Sequence, residues 1–209
     1  MSTTSSRPLI AAMQVTLDGY ILDPEGKADW VDSWADGLEL LPPVDAFVLG
    51  GGMFPEYERF WAAILEDPAA ASALLGRAPY AREVAYARHA AETEHLVLST
   101  TLSHATWPTA RFVRDIDELR AVKGQAGNVV YAVGGPTLVT SLINYGLLDE
   151  LRLIVHPVAA GGGKALFEGP AQRQALELLS AEPAPSGRVN LTYRPRAAPA
   201  PAAAAAAAA

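Results

Sequence analysis

The chain has 209 residues, half of them hydrophobic (50%), with 16 Lys plus Arg against 23 Asp plus Glu for a formal charge of -7 and no cysteine. That composition excludes an intrinsically disordered chain, and the acidic balance excludes a broad phosphate-backbone footprint on nucleic acid. A disulfide framework, a thiolate nucleophile and a cysteine-based zinc site are excluded as well; a reducing, cytoplasmic setting is the expectation.

In chain order, residues 1–7 read as a polar tail that enters a first strand at "LIAAMQV". The apolar run breaks at Gln14, too early for a secretory signal, and no segment offers the roughly 20 consecutive bulky apolar residues of a membrane span. "DWVDSWADGLEL" reads as a first helix carrying Asp29, Asp32, Asp36 and Glu39, with Asp32 and Asp36 four apart and so on one face. "AFVLG" reads as a second strand. The Ala-rich stretch from Phe54 to Glu94 reads as two helices broken around "GRAPY", where Gly76 and Pro79 interrupt a helix-favouring composition. "HLVLS" and "ARFV" follow as strands. "DIDELRAVKG" carries the clearest helix punctuation, with Asp115 as the cap, Glu118 completing a capping box and Gly124 as the stop.

"NVVYAVGGPTLVTSLINYG" joins a β-branched strand to a segment with Leu138, Val139, Leu142 and Ile143 at helical spacing. Pro136 suits the first helical turn and Gly146 the stop. Gly134 and Gly135 remove two Cβ atoms where amides and the positive end of a helix dipole emerge. They either let a pyrophosphate approach or merely permit a tight turn. "LRLIVHPV" reads as a further strand. Gly161, Gly162, Gly163 and Lys164 miss the spacing of a phosphate loop and read as a flexible connection. "ALELLSAEP" and "RVNLTYRP" flank Pro185–Gly187, and Val189, Leu191 and Tyr193 alternate as in an antiparallel strand. The pattern is α/β with a mixed sheet in one domain over residues 8–195, followed by a Pro/Ala tail over residues 196–209. His89, His95, His104 and His156 show no metal-ligand spacing, so no metal is expected.

Four blocks in order, "MQVTLDGYILDPEGKADW", "DAFVLGGGMFPEYERFW", "HLVLSTTL" and "VYAVGGPTLVTSLINYGLLDELRLIVHPVAAGGGKALFEG", resemble the dihydrofolate reductase-like family, in the branch that includes the C-terminal reductase domain of bacterial riboflavin biosynthesis. The resemblance implies a three-layer fold with a mostly parallel sheet, an antiparallel C-terminal strand and NADPH bound across the strand ends. It implies that Ala12, Asp18, Gly19 and Tyr20 lie beside the nicotinamide and that Gly50, Gly51 and Gly52 begin a helix near the phosphates. Ser99, Thr100 and Thr101 would approach the adenosine. Gly134, Gly135, Pro136, Thr137 and Leu138 would form the pyrophosphate turn.

The family's acidic substrate contact maps to the first helix, with Asp36 as first candidate and Asp32 as second; a solvated surface acid is the other reading. Trp30 and Trp34 are candidates for stacking on a flat heterocycle, or for the core. The family's Gly-Arg-x-Thr-Tyr is replaced by "GGGMFPEY", so the arginine expected on a 2′-phosphate is missing at Gly51. Arg59, Arg77, Arg111 and Arg114 are possible substitutes. The change implies weaker discrimination between NADPH and NADH, or a different nucleotide or a flavin. Two functions stay open: an NAD(P)H-dependent reductase of a pterin-like, pyrimidine-like or riboflavin-precursor-like heterocycle, and a nucleotide-, flavin- or drug-binding protein without turnover. The resembling branch also implies a homodimer.

Overall fold

The computed structural model describes residues 6–39, 41–69, 75–167 and 173–196; residues 1–5 and 197–209 of the two expected tails lie outside the described residues. The elements in chain order are β1 (Leu9–Thr16), β2 (Tyr20–Leu22), α1 (Asp36–Glu39), β3 (Val44–Gly50), α2 (Phe54–Glu66), α3 (Ala81–Glu92), β4 (Glu94–Leu98) and β5 (Ala110–Val113). Then come α4 (Ile116–Lys123), β6 (Val129–Ala132), α5 (Pro136–Asn144), β7 (Glu150–His156), β8 (Lys164–Ala165), β9 (Leu176–Pro183) and β10 (Val189–Pro195).

The main sheet runs β5-β4-β3-β6-β1-β7-β10-β9, and β2 pairs with β8 in a separate two-stranded sheet. β1 lies between β6 and β7 and is parallel to both, with Leu9 opposite Val130 and Ala12 opposite Arg152. Its near-continuous burial is the mark of a strand covered on both faces. β3, β4 and β5 are also parallel, whereas β10 runs antiparallel to both β7 and β9. The expected mixed sheet is therefore present, with its antiparallel part at the C-terminal edge.

Side chains alternate between two cores. On one face Leu9, Ala11, Val48 and Val130 pack with Leu119 and Val122 of α4 and Leu138, Val139 and Leu142 of α5. On the other, Ile10, Phe47, Leu49 and Tyr131 pack with Tyr57, Trp61 and Ile64 of α2 and Tyr86, Ala87 and Ala90 of α3. The period-two pleat of the strands divides the chain's apolar residues into these two layers.

Two local readings differ from expectation. The first helix is short: α1 begins at Asp36, so Asp32 precedes it and the two acids do not share a helical face. Upstream, the Ser33 hydroxyl accepts from the Ala35 amide at 3.2 Å, a local bond that competes with helix. At α4, Asp115 caps through the amides of Asp117 and Glu118, but Glu118 accepts from the amide of Arg114 instead of that of Asp115.

Candidate functional site

In a parallel sheet the crossover helices begin beside the carboxyl ends of the strands, so their N-terminal amides gather at one edge. Here β3 runs through Gly50–Met53 into α2, and β6 runs through Val133–Gly135 into α5. Gly135 is the N-cap of α5, with φ -72 and ψ -179, and Pro136 follows in the first turn. Its backbone conformation is open to any residue; what is special is the space, since an added Cβ would meet nothing within 4 Å. Gly134 differs, because a Cβ there would run into the Leu138 side chain. Neither Gly134 nor Gly135 donates its amide to an acceptor among the described residues.

Both glycine turns open into one cavity of about 960 Å³. Its walls include Ala12 and Gln14 of β1, Ile21 and Leu22 of β2, Trp34, the segments Gly50–Met53 and Gly134–Leu138, and Tyr57, Trp61, Tyr86 and Tyr131. A smaller cavity of about 410 Å³ shares Gly51, Gly52 and Leu98 with it and adds Ser99, Thr100, Thr101, Leu102 and Arg114. The cleft thus has an aromatic end, a glycine-lined middle and a polar end. A ligand long enough to reach all three is a natural fit.

Gly51 explains the missing arginine. A Cβ on Gly51 would stand 2.5 Å from both Cβ and Oγ of Ser99, and its amide donates to the Leu98 carbonyl at 2.9 Å. The ends of β3 and β4 approach too closely here for any side chain. Of the four substitute arginines, Arg114 lines the polar cavity, with one guanidinium nitrogen donating to the carbonyls of Ser99 and Leu102, both at 2.8 Å. Arg59 lines the larger cavity and is paired with Glu56. Arg77 pairs with Glu83 and Arg111 with Glu94.

The remaining candidates divide. Asp18, Gly19 and Tyr20 are not among the lining residues, although Ile21 and Leu22 are. The Asp18 carboxylate accepts from the Thr16 hydroxyl at 2.6 Å and from the amides of Ala160 and Gly161 at 3.0 and 2.8 Å. These bonds, the Thr16 one foremost, hold its pKa down to about 2. This clamp is complete above the ordinary aspartate range and is lost as pH falls through about 2. The Gly161–Gly163 connection read as flexible is therefore pinned at one end, and at the other Gly163 has φ +110 and packs on the backbone of Leu22 and Asp23 with no room for a Cβ.

Trp34 lines the cavity; Trp30 does not, and its indole nitrogen is buried with no partner among the described residues. Asp32 and Asp36 are also off the cavity wall. Arg82 bonds Asp36 at 2.9 Å and Asp32 at 2.6 Å, while Arg188 bonds the second oxygen of Asp36 at 2.8 Å. With both oxygens held by guanidinium groups, Asp36 ties α1 to α3 and to the β9–β10 turn. The geometry gives Asp36 a structural task.

Residues that the sequence did not single out supply the aromatic end. Tyr57 and Tyr86 exchange a hydrogen bond between hydroxyls at 3.1 Å, and Tyr57 lies 3.4 Å from Nε2 of His95. Burial pushes the hydroxyl pKa values of Tyr57, Tyr86 and Tyr131 well up, so all three are neutral phenols. Burial likewise pushes His95 down to about 4. His156, also buried, lies 2.9 Å from the amide oxygen of Gln14, whose nitrogen donates to the Ser33 carbonyl at 2.7 Å. That arrangement orients Gln14 at the cavity wall. No cluster of three or more His, Asp or Glu side chains among the described residues is placed to hold a metal.

The family model for the RibD C-terminal domain matches residues 7–189. The chain belongs to this family. An uncharacterized protein, YyaP, of Bacillus subtilis is 28% identical over 194 residues, covering 90% of this chain and 94% of its own. Among solved structures, a putative riboflavin biosynthesis protein from Shewanella superposes with a TM-score of 0.61 at 20% identity, over 91% of this chain and 99% of that one. Dihydrofolate reductase from Enterococcus faecalis, solved with NADP(H), superposes with a TM-score of 0.55 at 15% identity, over 91% of this chain and 97% of that one. The fold is thus the three-layer dihydrofolate reductase-like arrangement. No helix among the described residues is long and apolar enough to cross a membrane.

For this RibD C-terminal domain, Asp36→Asn should lower stability by about 2 kcal/mol, because Arg82 and Arg188 would lose a shared, nearly buried counter-charge. Urea denaturation measures it. A variant of unchanged stability that loses turnover would return Asp36 to the substrate.

Proposed function

We propose that the protein is an NAD(P)H-dependent reductase of a small, flat heterocycle of the pterin, pyrimidine or riboflavin-precursor kind. The observation that supports this most is the pair of glycine turns at two helix N-termini, opening into one cleft whose far wall is aromatic. The residues present fit a dinucleotide: the amides of Gly134 and Gly135 donate to no acceptor among the described residues, a Cβ on Gly135 would enter open space, and polar side chains continue the cleft beyond Gly51 and Gly52.

Gly134, Gly135 and Thr137 would hold the pyrophosphate on the positive end of α5. Ser99, Thr100 and Thr101 would receive the adenosine, and Ala12 would lie beneath the nicotinamide. Bound there, the nicotinamide supplies the hydride. Ile21, Leu22 and Trp34 would then exclude water from the ring. A binding protein without turnover is the second reading. One observation favours it: Glu56, already paired with Arg59, is the sole carboxylate on the wall of the larger cavity among the described residues. Loss of reduced-nicotinamide absorbance on adding candidate heterocycles separates the two.

Homodimerisation belongs to the same reading. Leu178 and Val189, at 53% and 36% exposure, lie on the uncovered C-terminal strands. Sedimentation should give a dimer at micromolar concentration, and a monomer would remove it.

Gly135→Val should abolish dinucleotide binding in a normally folded protein. The new side chain would stand in the cleft without straining the backbone, because φ is already in a region that valine adopts. Calorimetric titration beside a melting curve checks this. If the glycine shapes only a turn, cofactor affinity will survive intact.

Arg114, which lines the polar end of the cleft, would carry a 2′-phosphate. As a single exposed guanidinium it should give a modest preference for NADPH, and Arg114→Ala should bring the two dissociation constants together by weakening NADPH about 5- to 50-fold. Fluorescence titration with both nucleotides measures the ratio. An unchanged preference would place the 2′-phosphate elsewhere.

A further inference from the structure

The polarity of the aromatic end follows from one buried carbonyl. Nδ1 of His95 lies 2.9 Å from the Thr93 carbonyl oxygen, which can only accept, so Nδ1 carries the ring proton. His95 is fully buried and neutral, which leaves Nε2 as a bare acceptor. Tyr57 must then donate to Nε2, and its oxygen accepts the proton of Tyr86. Each donor in the chain is spent in turn. Tyr86 therefore presents lone pairs, and no proton, to anything else that reaches it.

Tyr131 is the complement. Its side chain is 3% exposed, and its hydroxyl has no hydrogen-bond partner among the described residues. It is nevertheless not among the polar atoms sealed from contact, which are Trp30 Nε1 and Thr140 Oγ1. Gly37 leaves it clear, since a Cβ there would stand 2.7 Å from the Tyr131 oxygen. Tyr86 and Tyr131 both line the larger cavity, and Trp61 lies against Tyr86 with ring centroids 4.1 Å apart and the planes tilted by 30°.

We propose that Tyr86 and Tyr131 are the specificity-determining pair of this cavity: Tyr86 accepts an N–H of the substrate ring, and Tyr131 donates to a ring carbonyl or ring nitrogen. The substrate class is a heterocycle with a lactam or amide-like edge, carrying donor and acceptor together. This deepens the heterocycle-reductase reading above and rests on it for the reaction. The binding chemistry is tested without the dinucleotide, so the two can fail separately.

The test uses the full chain and two fluorescent probes: lumazine, a bicyclic lactam with two ring N–H groups, and 1,3-dimethyllumazine, in which both are methylated. The native protein should bind lumazine about tenfold more tightly, because a methylated ring leaves the Tyr86 acceptor unpaired. In Tyr86→Phe that ratio should fall towards one through weaker lumazine binding. Tyr131→Phe should weaken both probes by a similar factor and preserve the ratio. Tyr57→Phe frees the Tyr86 proton to donate, so it should also reduce the ratio while Tyr86 stays in place, a result that loss of packing alone would not give. A native ratio near or below one overturns the proposal. So does no binding of either probe, or a fall in the Tyr86→Phe ratio that comes from tighter binding of the dimethyl compound.

Discussion

The parallel registration of β1 between β6 and β7 is the constraint on which the rest of the structure depends. A parallel pair cannot be joined by a hairpin, so each pair must be linked by a crossover, and the crossover helix starts at the carboxyl edge. That places Ala12, Gly50 and Gly134 on a common rim although they lie far apart in the chain. The rim gathers helix N-termini before any charged residue is chosen, and among the described residues the amides of Gly134 and Gly135 there donate to no protein acceptor. In a chain of net charge -7, an anion at this rim would be met by oriented dipoles and one or two local cations, with no help from the overall field.

The same rim shows why glycine and arginine are alternatives at position 51. A long basic side chain needs a Cβ, and a Cβ needs a gap between the ends of β3 and β4. Here Ser99 occupies that gap, and its hydroxyl also accepts from the amides of Thr101 and Leu102. Closing the gap fixes the loop after β4 and sets Arg114 beside it, with Arg114 fastened to carbonyls of that very loop. Ser99 thus both crowds Gly51 and, through its carbonyl, fastens Arg114.

Most of the fold was legible in the sequence because it is written in local patterns: β-branched runs, the Asp115 cap, the break at Gly76 and Pro79, and the glycine-proline entry to α5. The site was legible only where it coincides with such a pattern. Asp32 and Asp36 misled because four-residue spacing implies a shared face only inside a helix, and here turns persist until Asp36. Tyr57, Tyr86 and Tyr131 gave no warning: each sits at an ordinary core position of its own element. Their meaning lies in hydroxyls that meet across separations such as the 29 residues between Tyr57 and Tyr86, or, for Tyr131, in a hydroxyl with no hydrogen-bond partner among the described residues.

Burial and polarity in this wall are linked by the cost of leaving a donor or acceptor unmatched. Phe47 stacks on His95 at 4.8 Å, and Trp107 lies beside it at 5.1 Å, so the ring is buried among aromatic faces where a charged imidazole would lose its hydration. Neutrality of His95 is therefore built in by aromatic packing, and the direction of the hydroxyl chain follows from it. A charged imidazole would reverse every bond from Nε2 to Tyr86, turning an acceptor into a donor at the cavity wall. The surrounding rings thus do more than fill space. By excluding water from His95, they fix which end of a small polar molecule the cavity can accept.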